Sequence, residues 1–336
     1  MAPKPWGWWT QHKLQILGDY LQAFATASNS LDERIYLDLF AGWPENVSRE
    51  TNEPILGSVH RALQARPPFT RVCLFEIGSH ARDLEDAVRR AYPGRPGIKV
   101  YPGDCNVKVS EAFADLRRAG VEWAPTFAFI DQFDSEVRWS TLEQISRFRR
   151  VKTKTKAEMW ILFATGQYPR GLSLQGKVLN AAYGDSITEM FGNEQWIPIV
   201  EGRRRDLLDP AQARAEWVNL MRWRLETALG YQHTYGFTMK NTGGQDLYDM
   251  IFATDHFAGD KIMRDIYGTA LAQHDVMRRW AVEQRRRVRL ERKGQFSLFD
   301  AFGDQPNPLN SAPDLSKIKA NEVYQPESPH EPYALP

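Results

Sequence analysis

Four short apolar runs in the first half of the chain each end in residues that can do chemistry. The first closes on Asp38 and then Phe40-Ala41-Gly42, and the second on Glu76 and Ile77. The third closes on Asp104 and Cys105, the fourth on Asp131-Gln132-Phe133. If the runs are strands of one sheet, these residues stand outside its carboxyl edge, where open α/β sheets bind ligands. A small-residue turn after a first strand lets a ligand approach the backbone. An acid ending the second can accept hydrogen bonds from two ribose hydroxyls, and one after the third, with Cys105 beside it, can receive an adenine amino group. Acids end strands in many α/β proteins, so it is the set together with the Phe-Ala-Gly turn that describes a site for an adenosine-containing cofactor. A dinucleotide fold needs G-x-G-x-x-G, whereas this turn offers Ala41-Gly42-Trp43-Pro44, and no G-x-x-x-x-G-K-[ST] exists. A cofactor without phosphates, S-adenosylmethionine, fits better: its sulfonium and amino groups suit a pocket lined by Asp38 and other carboxylates.

The elements that must position these residues follow from periodicity. An amphipathic helix fills residues 1–30, with Thr10 as its expected N-cap and Leu14, Leu17, Leu21 and Phe24 at spacings of three and four. Near-continuous apolar runs at 34–40, 72–77, 99–104, 126–131 and 159–166 then alternate with stretches of helical period, such as HARDLEDAVRRAY and STLEQISRF. Strands apolar on both faces and separated by helices imply a parallel sheet covered on both sides, an α/β fold. Residues 31–275 form this domain, with a helical insertion over about 167–230 that includes a long helix at 210–229. YQHTYGFTMK and DLYDMIFATD, joined by NTGGQ, read as a hairpin. Residues 276–302 read as a basic helix, RRWAVEQRRRVRLERK, followed by QFSLF. In 303–336, seven of the 20 prolines indicate an extended tail.

Composition sets outer bounds. Over 336 residues, 43 Lys and Arg against 42 Asp and Glu leave a formal charge of +1, so any polyanion-binding surface must be local. The two cysteines, Cys73 and Cys105, exclude a disulfide framework and a four-cysteine zinc site, and fit a reducing compartment. The scattered histidines show no metal-ligand spacing, and no metal is expected. With no apolar window near the ~18 residues of a membrane span, a cytoplasmic protein is expected.

YLDLFAG, EPILGS (53–58), FIDQF with Trp139 downstream, FGNEQW (191–196) and LYDMIFATDHFAGDKIM together resemble the three-Cys-motif partner proteins (TcmP), over roughly 9–267. The resemblance implies a Rossmann-like class I methyltransferase sheet, whose seventh strand is antiparallel, with accessory helices. It also implies a partner carrying a three-cysteine motif, encoded nearby. One departure is local: the FAG-P-G turn of the family stands here as Phe40-Ala41-Gly42-Trp43-Pro44. The indole of Trp43 would block the methionine end if it turned inward. Asp131-Gln132-Phe133 resembles the [D/N/S]-P-P-[Y/F/W] motif of amino-directed nucleic-acid methyltransferases with its prolines absent. Asp131 would hydrogen-bond a target amine and Phe133 would stack on an extruded base. Alternatively, Asp131 is a helix cap or cofactor ligand and Phe133 belongs to the core.

Basic residues at 147–156, Arg203 to Arg205 and Arg285 to Arg287 are candidate phosphate contacts or ordinary solvated faces. Gln295, Leu298 and Phe299, within QFSLF, resemble the Q-L-[S/D]-L-F peptide by which bacterial DNA enzymes dock on the sliding clamp, or else fold back on the body. The expectation is therefore a methyltransferase-like protein acting on nucleic acid, in particular an exocyclic amine of DNA. Its rival is an inactive adapter that bridges DNA, the clamp and the three-cysteine partner.

Overall fold

The computed structural model describes residues 5–149, 155–176, 178–293 and 313–336. Five apolar runs become parallel strands: β1 (Ile35–Asp38), β4 (Arg71–Glu76), β5 (Ile98–Pro102), β6 (Thr126–Ile130) and β7 (Glu158–Phe163). Every residue of β1, β6 and β7 is buried, which is why these strands lack polar alternation. Between β1 and β4 lie a hairpin, β2 (Glu45–Val47) and β3 (Pro54–Leu56), and helix α2 (Ser58–Gln64). Helices α3 (His80–Ala91), α4 (Cys105–Arg118) and α5 (Trp139–Ser146) make the later crossovers.

The sheet is completed by the expected hairpin, β8 (His233–Lys240) and β9 (Asp246–Thr254), closed by Asn241 N–H donating to Gln245 O at 2.8 Å. Strand β9 inserts between β7 and β8, antiparallel to both, giving the order β5-β4-β1-β6-β7-β9-β8. A mostly parallel seven-stranded sheet whose last strand in sequence runs antiparallel is a class I methyltransferase-like sheet. The order reverses between β1 and β6, so the switch point lies where Asp38 and Asp131 emerge.

The helical insertion comprises α6 (Tyr168–Gly171), α7 (Ala181–Phe191), α8 (Ile197–Arg204) and α9 (Pro210–Thr227). Asp209 caps α9 in a reciprocal box with Gln212, and Trp217, Leu220, Met221 and Leu225 bury its inner face. The N-terminal helix, α1 (Trp8–Ala27), starts earlier than expected: Gly7 precedes it, its carbonyl accepting from Thr10 N–H at 2.9 Å, so Thr10 lies inside the helix. The basic segment is not a separate element. It is the far half of α10 (Phe257–Arg292), a 36-residue helix packed along α1, so the boundary expected at 275/276 falls within continuous helix. Residues 313–336 run extended over the body. Tyr324 reaches the carbonyl of Gly236 on β8, Arg222 holds Glu327 O at 2.7 Å, and His330 N–H donates to Asn219 at 2.9 Å. This strap shields the sheet's edge strand. Gln295, Leu298 and Phe299 lie outside the described residues. Among the described residues no helix is long and apolar enough to cross a membrane.

Candidate cofactor and substrate pocket

At the switch point the chain leaves β1 through a sharp turn. Gly42 has φ +58°, left-handed backbone that favours glycine, and its N–H donates to Glu76 Oε2 at 2.7 Å. The other oxygen of Glu76 accepts from Ile77 N–H at 2.9 Å. Glu76 therefore faces the turn. Each oxygen accepts one backbone hydrogen bond and retains a second lone pair, the requirement for meeting a ribose diol. Trp43-Pro44 folds against Gly57 of the EPILGS segment, whose N–H donates to Pro44 O at 2.7 Å, and a Cβ on Gly57 would lie 2.8 Å from that oxygen. The indole of Trp43 leans on His80, ring centres 5.8 Å apart, and is 41% exposed. It does not plug the lip.

The lip encloses a cavity of about 570 Å³, within the range of small-molecule sites. Phe40, Ala41, Gly42, Asp131, Gln132 and Phe133 all line it. The expected site thus divides in two. These six face the cavity, while Glu76, Ile77, Asp104 and Cys105 stand beyond the β1 turn, outside that lining. Asp38 is not in the cavity wall. It is fully buried beneath Ser58, with Tyr36 Oη donating to Oδ2 at 3.0 Å and no hydrogen bond to Oδ1. Burial pushes its carboxyl up to about 7, with the charge of Asp131 adding to the shift and Ser58 and Tyr36 opposing it. It is a protonatable group under the floor rather than the fixed anion expected of it.

Beyond the β1 turn, Asp104 caps α4, accepting from Asn106 N–H at 2.9 Å and from its side-chain amide at 3.0 Å. Cys105 is buried, and its thiol is pushed up to about 12 by that burial, with Asp104 and Glu136 adding, so it is no nucleophile. Ile77, just past β4, and Val107, in the first turn of α4, are two aliphatic side chains 62% and 64% exposed beside these groups.

The strand-four motif resolves unequally. Phe133 is 78% exposed, which removes the core alternative. Gln132 does not face a substrate through its amide. Its oxygen accepts from Glu136 and Val137 N–H, both at 2.8 Å, and its nitrogen donates to Leu162 O at 3.0 Å. It braces the loop that follows β6. Asp131 is neither a helix cap nor free: Lys13 Nζ lies 2.5 and 2.6 Å from its two oxygens.

Lys13 was not expected here, although its position in the sequence carries the signal. Counting 13, 17, 20, 24 along α1 puts it on the same stripe as Leu17, Tyr20 and Phe24. Lysine in an apolar stripe requires a buried partner. Tyr248, on β9, is the second unexpected residue. It lines the cavity, Lys13 Nζ lies 5.6 Å from its ring centre, and its buried hydroxyl has no hydrogen-bond partner. Such an orphaned donor calls for a ligand or water. Among the described residues no group of three or more His, Cys, Asp or Glu could hold a metal.

No protein-family model and no curated protein matches the chain. Solved structures similar to it include TYW2 from M. jannaschii in complex with AdoMet. That match has 11% identity and a TM-score of 0.30, covering 70% of this chain and 75% of that one. Another is a SAM-dependent methyltransferase from Methanosarcina mazei, at 11% identity and a TM-score of 0.30, covering 68% and 95% respectively. These likenesses carry no argument; the fold is read from the strand order of the chain itself.

Proposed function

We propose that this chain binds S-adenosylmethionine across the β1 turn and transfers its methyl group to an exocyclic amine of nucleic acid. The observation that carries this is the sheet: the antiparallel strand sits between the fifth and sixth, and the switch point opens between Glu76 on one side and Asp131 on the other. The chemistry of the residues suits the cofactor. Glu76 would take the ribose hydroxyls, Ile77 and Val107 would sandwich the adenine, and Asp104 with the Cys105 backbone would read its edge. The ammonium of Lys13 and the orphaned hydroxyl of Tyr248 offer donors to a carboxylate at the methionine end. The cofactor supplies an already activated methyl group, so the protein's task is alignment. Asp131 would accept from the target amine with the lone pairs Lys13 leaves, and the exposed ring of Phe133 would stack on the extruded base.

One observation favours the rival adapter: Lys13 already contacts both oxygens of Asp131. Calorimetry with S-adenosylmethionine separates the two. Micromolar binding that Glu76→Ala weakens at least tenfold, in a variant that melts like the parent, supports the enzyme; absence of heat in the parent supports the adapter. Tritiated methyl transfer to DNA, RNA and protein then identifies the substrate class, and incorporation into protein alone would overturn the nucleic-acid assignment.

A further inference from the structure

The basic half of α10 forms another cavity, of about 510 Å³, with the tip of the β2–β3 hairpin. Arg49, Arg285, Arg289 and Lys293 line it, all exposed, against one carboxylate, Glu50. Arg285, Arg289 and Lys293 recur every four residues and so share one side of the helix. Earlier on the same helix, Met277 and Ala281, eight and four residues before Arg285, are buried with Trp280 in a cluster with Trp8 and Leu315. The cations therefore follow directly on an anchored stretch of the helix and are themselves exposed. Like charges a turn apart repel, and a single carboxylate does not neutralise four cations, so the surface is built for an extended polyanion.

This groove shares a wall with the pocket. The guanidinium of Arg49 stands 5.3 Å from the ring centre of Trp9, and Trp9 lines the cavity that holds Lys13 and Asp131. The N-terminal segment that carries these tryptophans is stitched to the hairpin, Trp6 N–H donating to Val47 O at 2.9 Å and Arg49 N–H to Trp6 O at 2.7 Å. We infer that the groove between α10 and the β2–β3 hairpin is the backbone track of a nucleic-acid strand, which passes Arg49 and presents a base over Trp9 to the pocket. Basic side chains hold the phosphates and an aromatic platform receives the unstacked base, the combination that binds single strands without reading sequence. The inference rests on the nucleic-acid part of the proposed function and not on the cofactor.

The test uses the full chain, a fluorescein-labelled 20-nucleotide single strand of DNA, and the same strand as RNA. Anisotropy titrations span 50 to 200 mM salt. Arg285→Glu with Arg289→Glu is expected to weaken binding at least tenfold and to flatten the slope of log K against log salt by about 2, one for each cation lost. Arg285→Lys with Arg289→Lys, which keeps the charge, should stay within about threefold of the parent, as should Arg203→Glu with Arg205→Glu on α8. Equal loss in the α8 variant, an unchanged slope in the α10 variant, or binding to phosphatidylserine vesicles in place of either strand would overturn the track. S-adenosylmethionine calorimetry on the same samples keeps the two failures apart. Cofactor heat without strand binding overturns the track alone, and strand binding lost in the α10 variant supports it whatever the cofactor does.

Discussion

Replacing Lys13 with methionine keeps the length of the side chain and deletes its charge. In the native pair the lysine side chain is 6% exposed and the Asp131 side chain 24%, at 2.5 Å. Breaking a fully buried pair by removing one partner costs about 3–5 kcal/mol, because the remaining charge is stranded. Water reaches a quarter of Asp131, so the loss in Lys13→Met is expected at about 2–3 kcal/mol. Asp131→Asn strands the more deeply buried lysine and should cost about as much or more. The double variant strands nothing, and it should recover about 2 kcal/mol relative to the sum of the singles. Guanidinium melts at pH 7 on all four proteins read these values directly, provided the m-value stays constant. A Lys13→Met melt within about 0.5 kcal/mol of the parent, or strict additivity, would refute the argument that this pair is desolvated and coupled. The same variant addresses function. If the ammonium also receives a carboxylate of the ligand, Lys13→Met should weaken S-adenosylmethionine binding at least tenfold, about 1.4 kcal/mol, beyond anything its stability explains.

The contact between α1 and α10 should respond to acid. His12 Nδ1 and His274 Nδ1 meet at 3.2 Å in the buried interface, with both Nε2 atoms unpartnered. Burial pushes His12 down to about 3, with the charge of His274 adding, and burial likewise pushes His274 down to about 4. Both folded values lie below the unfolded one, near 6.5, so this stability is complete above pH 6.5 and is lost as pH falls toward 4. A decline of about 3 kcal/mol for the coupled pair is expected over that window. Denaturant midpoints of the parent and His12→Phe between pH 7 and 4.5 test it, and parallel profiles would refute it. In the QFSLF segment, Gln295→Ala with Phe299→Ala should abolish retention by an immobilised bacterial sliding clamp; unchanged retention would show that the peptide does not dock there.

The sheet was legible in the sequence because its central strands are buried on both faces and its helices are not, a contrast that periodicity detects. The ends of the first four parallel strands were located to within two residues, which sufficed to bring Asp38, Glu76, Asp104 and Asp131 to one edge. Their individual roles were less legible, because identity and spacing do not reveal which side of a turn a carboxylate faces or what already holds it. Asp38 lies below the cavity, Asp104 caps its helix, and Gln132 braces its loop. The β2–β3 hairpin escaped notice since three-residue strands carry no period. The tail misled for a related reason: proline-rich composition signals extended backbone, and residues 313–336 are extended, but composition does not show that an edge strand lies beneath them.

The two residues that reading missed, Lys13 and Tyr248, come from opposite ends of the chain and meet only in the folded protein. Their elements explain why the pocket depends on them. Helix α1 lies across the sheet and lowers Lys13 onto the end of β6, while the antiparallel strand β9 raises Tyr248 beside the end of β7. Neither element is needed to place the carboxylates, which the parallel strands position on their own. Together they line one wall of the cavity and add an ammonium and a phenol to it. The closure has a consequence for Asp131. The ammonium of Lys13 occupies part of its hydrogen-bonding capacity. Under the proposed function, substrate and closure would compete for the same two oxygens, and a nucleic-acid amine would have to share them with Lys13 or displace it.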